Sequence, residues 1–161
     1  MKRLAPALSF LLLAACGFQL RGVASLPFET IHVPNATSGI ALDLKRNIRS
    51  GTNTRVLDEA KGAEALLQFS EESRQKEILS LSSAGRVSEY RLIYRVRFRV
   101  SDAQGADFLP PSTVTLTRDM TYDDAQVLAK EGEEQLLFRD MQLDMVQQIM
   151  RRIAAARKPK A

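Results

Sequence analysis

The chain has 161 residues with 23 basic and 19 acidic side chains, one histidine, one cysteine and no tryptophan. The net charge of +4 falls to +2 without Lys2 and Arg3, too small a surplus to mark a nucleic-acid binder unless the cations cluster. A lone cysteine excludes an internal disulfide, and His32, the lone histidine, argues against a zinc site or histidine-based catalysis.

The first fifteen residues read as a leader rather than as part of a fold. Lys2 and Arg3 form a positive start, Leu4 to Leu13 form an apolar run too short to span a bilayer, and Leu13-Ala14-Ala15 precede Cys16. This pattern resembles a bacterial lipoprotein signal. The resemblance implies a 1–15 signal peptide, cleavage before Cys16, and acylation of its thiol and its new amino group. Several acyl chains at one residue anchor a protein stably, since each buried methylene contributes about 0.8 kcal/mol. Gly17, where the sorting rule of this class reads aspartate as a retention signal, implies delivery to the outer membrane. Residues 16–27 are then an acylated tether, 28–156 a single domain, and 157–161 a basic tail. The 146 residues from Cys16 onward suffice for one domain with a real core.

Phe28 to Pro34 alternates as a short strand, with Ile31 and Val33 on one face. From Gly39 to Ser50, Ile40, Leu44 and Ile48 recur every four residues, which predicts an amphipathic helix capped by Ser38, with Gly51 in a left-handed position at its end. Thr54 to Asp58 is at most a small edge element. At Ala65 the period becomes two: Ala65, Leu67 and Phe69 share a face, and Leu79 and Leu81 resume that parity after a polar middle. Ser82 to Arg86 is a hairpin turn. Glu89 to Val100 then alternates without a miss, setting Tyr90, Leu92, Tyr94, Val96, Phe98 and Val100 against Arg91, Ile93, Arg95, Arg97 and Arg99. A turn at Asp102 to Gly105 leads to a third long strand, in which Val114, Leu116, Met120 and Tyr122 alternate with threonines. Asp123 or Asp124 caps a last helix, disturbed near Gly132, with Phe138, Met141, Met145, Ile149 and Ile153 on its apolar stripe. The expected fold is α+β: two helices packed on one face of a mostly antiparallel four-stranded sheet, the other face open.

That open face carries Arg91, Arg95, Arg97 and Arg99 from one strand. One reading makes them a phosphate-binding surface suited to a phosphorylated outer-membrane lipid; the other pairs them with Glu71, Glu77 or Asp119 on neighbouring strands. Arg118 falls on the apolar side of its strand and needs a partner, Glu133 or Glu134, so it and Tyr122 are read as structural. Nothing resembles a nucleophile elbow, a phosphate-cradling loop or metal-ligand spacing, so an enzyme and a cofactor are not expected.

Cys16-Gly17-Phe18-Gln19-Leu20-Arg21-Gly22, then Ser88-Glu89-Tyr90, then Arg118-x-x-x-Tyr122-Asp123 leading to Leu128-Ala129-Lys130, succeed one another along the chain. In that order they resemble the LptE family of LPS-assembly lipoproteins. The resemblance implies a small α/β lipoprotein that sits in the lumen of a large outer-membrane β-barrel, LptD, in a 1:1 complex, helps it assemble, and assists lipopolysaccharide passage. It also implies lipopolysaccharide contacts at Lys130 and near the hairpin before the long strand, where Arg86 is the nearest cation and Arg91 and Arg95 follow. The alternative is a free outer-membrane lipoprotein that binds anionic lipid or glycan without a barrel.

Overall fold

The computed structural model describes residues 25–34 and 36–159, so the leader, Cys16 and most of the tether lie outside the described residues. Strand β1 (Thr30–His32) leads into helix α1 (Gly39–Gly51), and β2 (Arg55–Leu57) follows. Three long strands come next, β3 (Ala65–Leu81), β4 (Val87–Ser101) and β5 (Asp107–Thr121), then a 3-10 turn at Asp124–Gln126 and helix α2 (Val127–Ala154).

The sheet has five strands in the order β2-β1-β3-β4-β5, not four. It is mixed: β1 runs parallel to both β2 and β3, whereas β3, β4 and β5 form an antiparallel meander. The extra strand is only three residues long, too short for alternation to register in the sequence. It belongs to the sheet because α1 carries the chain back over the same face, the crossover that a parallel pair requires.

Apolar periodicity explains the core. Ile40, Leu44 and Ile48 of α1 and Met141, Met145, Val146, Ile149 and Ile153 of α2 are buried against Leu67, Leu92, Tyr94, Val96, Phe98 and Val100 of the sheet. Helix α1 closes differently from the expectation. Ser38 makes no side-chain cap bond, and the Thr52 hydroxyl donates to the Ile48 carbonyl at 2.8 Å in place of a left-handed glycine. Asp123 caps the 3-10 turn by accepting from the Ala125 N–H at 2.9 Å, and α2 then runs through Gly132 without interruption. At the two tight turns glycine is required: Gly85 and Gly105 sit at φ 74 and 90, a region that side chains with a Cβ avoid.

A register shift in β3 overturns the expected parity of its far half. The irregularity between Phe69 and Glu71 adds a residue, so Glu72, Arg74 and Lys76 turn inward opposite Val96, Tyr94 and Leu92. Two further shifts between Ile78 and Leu81 break the ladder near the hairpin, and Leu79 and Leu81 do not rejoin the core.

The long strands therefore have two unlike ends. One end, called proximal here, gathers the start of the described chain, β1, β2, the β4–β5 turn and the end of the described chain, where the Arg157 N–H donates to the Phe108 carbonyl and Lys158 pairs with Glu64 at 3.1 Å. The distal end holds the Ser82–Arg86 turn and the start of α2. Fifteen residues of β4 separate the two ends by about 50 Å.

Candidate functional site

Helix α2 fully buries no residue before Met141, and its first half rests on the sheet through half-buried Leu137 and Phe138 together with polar and aromatic contacts. Lys76, turned inward by the β3 shift, donates to Glu134 at 2.6 Å and lies 4.8 Å from the Tyr90 ring centroid. Tyr90 meets Tyr122 edge to face at 5.0 Å. The Glu134 carboxylate, as hydrogen-bond acceptor, holds the Lys76 ammonium above its ordinary pKa. Lys130, with 15% of its side chain exposed, donates to Glu133 at 2.9 Å and to the Thr121 hydroxyl at 3.1 Å. Farther down, Arg74 donates to Gln142 and stacks 4.8 Å from the ring of Tyr94. The Tyr94 hydroxyl donates to Glu72 at 2.6 Å, and burial, with that bond, raises its pKa well above the usual phenol range.

Beyond this cluster the distal tip is apolar and open. Ile78 is 59% exposed, Leu81 57% and Leu128 84%, with Leu79 and Val127 partly exposed beside them in sequence. Isolated exposed leucines are ordinary; these five toward one end, with Leu136 and Leu143 also exposed along α2, make the tip a candidate interaction surface. Arg86, exposed in the hairpin turn, adds a cation to that tip.

The residues singled out from sequence divide between two faces. Arg91 and Arg95 are on the open face, and both are partnered. Arg91 forms a bidentate pair with Asp119 at 2.8 and 3.0 Å, and Arg95 stands 4.0 Å from Glu71. The same pairing lowers the Asp119 pKa and raises that of Arg91. Arg99 is held likewise by Asp107 at 2.7 Å. Cross-strand pairing thus accounts for three of the four arginines, Arg97 being exposed, so the face is mainly a row of ion pairs flanked by threonines rather than an empty phosphate cradle.

Lys130 and Arg91 approach the same corner, since Thr121 pairs with Glu89 and Asp119 with Arg91. Arg86 lies beyond that corner at the tip, and Arg95 is displaced toward the middle of the strand. Arg118 does project to the helix side, but its partners are Asp144 at 2.7 Å and Asp140 at 3.9 Å, not Glu133 or Glu134. Its partner stands nearly three turns later along the helix than expected, because Lys76 of β3 takes Glu134 and Lys130 takes Glu133. Tyr122 packs on Tyr90.

Sequence reading missed Lys76, Ile78 and Leu128. The available signal was Ile78-Leu79-x-Leu81 just before a turn, adjacent apolar residues that break strict alternation. Among the described residues, no group of three His, Cys, Asp or Glu side chains could hold a metal ion, and no helix is long and apolar enough to cross a membrane.

Comparison with known proteins agrees on one family. The family model described as LptE, lipopolysaccharide-assembly, matches residues 28–153. The LPS-assembly lipoprotein LptE of Photorhabdus laumondii is 24% identical over 149 residues, covering 91% of this chain and 81% of its own. That of Yersinia pestis (strain Pestoides F) is 29% identical over 150 residues, covering 91% and 72%. Among solved structures, a lipoprotein B from Nitrosomonas europaea superposes with a TM-score of 0.74 at 44% identity, covering 86% of this chain and 91% of that one. A minor lipoprotein from Acinetobacter baumannii gives 0.67 at 25% identity, covering 84% and 99%.

Proposed function

Because the chain belongs to the LptE family of lipopolysaccharide-assembly proteins, we propose that it is an outer-membrane lipoprotein that occupies and helps assemble the LptD β-barrel and assists lipopolysaccharide transport through it. The observation that carries this reading is the family match over 28–153, which spans every strand and nearly all of α2. The relatives' name covers lipopolysaccharide assembly; the barrel, the lumen and the 1:1 ratio are proposed here.

The shape of the molecule supports the reading physically. Under the lipoprotein signal Cys16 carries the anchor, and the described chain begins nine residues later at the proximal end. Nine extended residues reach about 30 Å, so the anchor keeps the proximal end near one leaflet while the distal tip projects away from it. Such a tether presents the domain to the periplasmic mouth of a barrel at high effective concentration, and weak polar contacts then suffice. A wide barrel lumen is polar and wet, which suits a face of paired arginines and threonines.

Lipopolysaccharide is assigned to the distal end. Its phosphates meet Lys130 and Arg86, with Arg91 and Arg95 as lesser contributors because each already holds a carboxylate. Its acyl chains meet Ile78, Leu81 and Leu128. A phosphate at Lys130 must displace Glu133 and Thr121, so Arg86 carries the larger share of initial capture.

A pull-down of C-terminally tagged protein from detergent-solubilised outer membranes tests the barrel claim. An equimolar large β-barrel retained through high-salt washing is expected. Recovery of the protein alone, or with lipopolysaccharide only, would favour a free lipid-binding lipoprotein. Paired reversal of Arg86 and Lys130 to glutamate tests the ligand claim: binding of purified lipopolysaccharide is expected to weaken at least several-fold, and unchanged binding overturns the assignment.

A further inference from the structure

The two long edges of the sheet are protected unequally. Past Leu66, where β1 ends, the outer edge of β3 has three register shifts and the charges Glu71, Glu72, Arg74, Lys76 and Glu77, the devices that keep an edge from templating another strand. Strand β5 is blunted at its start, by Pro110-Pro111 and the shifts beside them, and its two later charges, Arg118 and Asp119, are already held by Asp144 and Arg91. From Ser112 to Thr121 it is regular, free of proline and lysine, and rich in threonine.

The direction of its hydrogen-bonding groups follows from two bonds. The Tyr122 N–H donates to the Ser88 carbonyl of β4, so even-numbered residues of this stretch bond inward. The Thr113 carbonyl accepts from Arg152 at 2.9 Å, on the outer side. Thr115, Thr117 and Asp119 therefore present unused N–H and C=O groups to solvent, in a window bounded by Arg152 at one end and Lys130 on Thr121 at the other.

We propose that this window pairs with the same window of a second copy, antiparallel about a two-fold axis at Thr117, to give a continuous ten-stranded sheet. The sequence is self-complementary in that register. Thr117 opposes Thr117, Thr115 opposes Asp119, Val114 opposes Met120 and Leu116 opposes Arg118, so no like charges face one another. A shift of the axis to Arg118 would oppose two arginines.

The helices match as well. Arg118 meets Asp144, and Thr113 meets Arg152, so Thr117 lies beside α2 at about Met145. The axis then runs the two α2 helices antiparallel along the β5 flank and opposes Asp140 of one copy to Arg151 of the other. Asp140 reaches Arg118 on that flank, and Arg151, seven residues beyond Asp144, shares it. Three opposed outward residues exchange about six backbone hydrogen bonds. The pairing protects the open edge of a protein that has not yet met its partner, and it is independent of where lipopolysaccharide binds.

Thiol crosslinking of the full-length lipoprotein purified in detergent free of any barrel tests the register. In the proposed dimer the Thr117 α-carbons of the two copies stand about 5.5 Å apart, and the Thr115 pair about 14 Å. With a short bifunctional thiol reagent, Thr117→Cys is expected to give a dimer several-fold above the wild-type background and Thr115→Cys none. A monomeric Thr117→Cys, or equal crosslinking of both variants, would overturn the proposal. Thr117→Pro supplies the second arm, because it removes an outward N–H and no bond to β4. It is expected to keep the wild-type melting temperature and to be monomeric by light scattering in detergent; a dimer would count against this edge.

Discussion

The proximal and distal halves of the molecule use the same strands and the same helix, yet they are held together by different forces. Proximally, α1 and the second half of α2 close an apolar layer in which Leu44, Ile48, Met145 and Ile149 are fully buried. Distally, α2 is fastened by Lys76–Glu134 and Lys130–Thr121, pairs at least partly exposed to water, with half-buried Leu137 and Phe138 beneath it. Apolar burial contributes about 25 cal/mol per Å², whereas an exposed ion pair contributes about 0 to 1 kcal/mol. The difference teaches that stability is concentrated near the tether, and that the far end is free to exchange its contacts for those of a partner.

The largest effect is expected where the comparison is sharpest. Ile149→Ala removes a fully buried side chain between helix and sheet, and about 2 to 5 kcal/mol should be lost in a urea melt. A loss below about 1 kcal/mol would place the core elsewhere. At the boundary, Tyr94→Phe deletes the bond to Glu72 and should cost about 1 kcal/mol in the same measurement.

Lys76→Met should cost less than about 1 kcal/mol globally while changing the distal half locally. Amide exchange is expected to quicken across residues 127–140 and to stay unchanged across 141–153. Uniform acceleration would mean that the halves unfold as one.

The smallest effects are those of pH, and they separate the ends. The Lys76 pKa is raised in the fold, mainly by its bond to Glu134, so its contribution is complete below 10.5 and is lost as pH climbs through the raised value. Tyr94 acts in the same direction, since the unfolded phenol ionises near 10.0 before the folded one does. At the proximal end the Glu29 N–H, then Lys158, holds Glu64 below 4.5, so that contribution exists above 4.5 and fades as pH falls through the lowered value. Exchange at 127–140 should therefore respond to alkali first, and the contact of Glu64 with Lys158 to acid.

The proximal half was also the more legible half. Ile40, Leu44 and Ile48, the stripe from Met141 to Ile153, and the alternation from Tyr90 to Val100 all report burial by period, because one face of each meets an apolar layer. Arg55–Leu57 was legible only as a small edge element and was left out of the expected sheet, because three residues carry no period. The distal half was misread because periodicity presumes an unbroken ladder. One added residue near Ser70 inverted the faces of Glu71 to Ile78, bringing Lys76 inward to Glu134 and leaving Leu81 outside. The arginines of β4 were placed on the correct face, but sequence could not choose between a phosphate and a carboxylate as partner. Register chose it, by setting Asp119 opposite Arg91.

Photo-crosslinking in living cells tests the account most directly, with a photoreactive residue placed at Leu128 or Leu81 in the distal half and at Gln104 in the proximal turn. The account predicts that the distal positions capture lipopolysaccharide and a large β-barrel, and that Gln104 captures neither above background. Capture at Gln104 alone, or at all three positions equally, would contradict it.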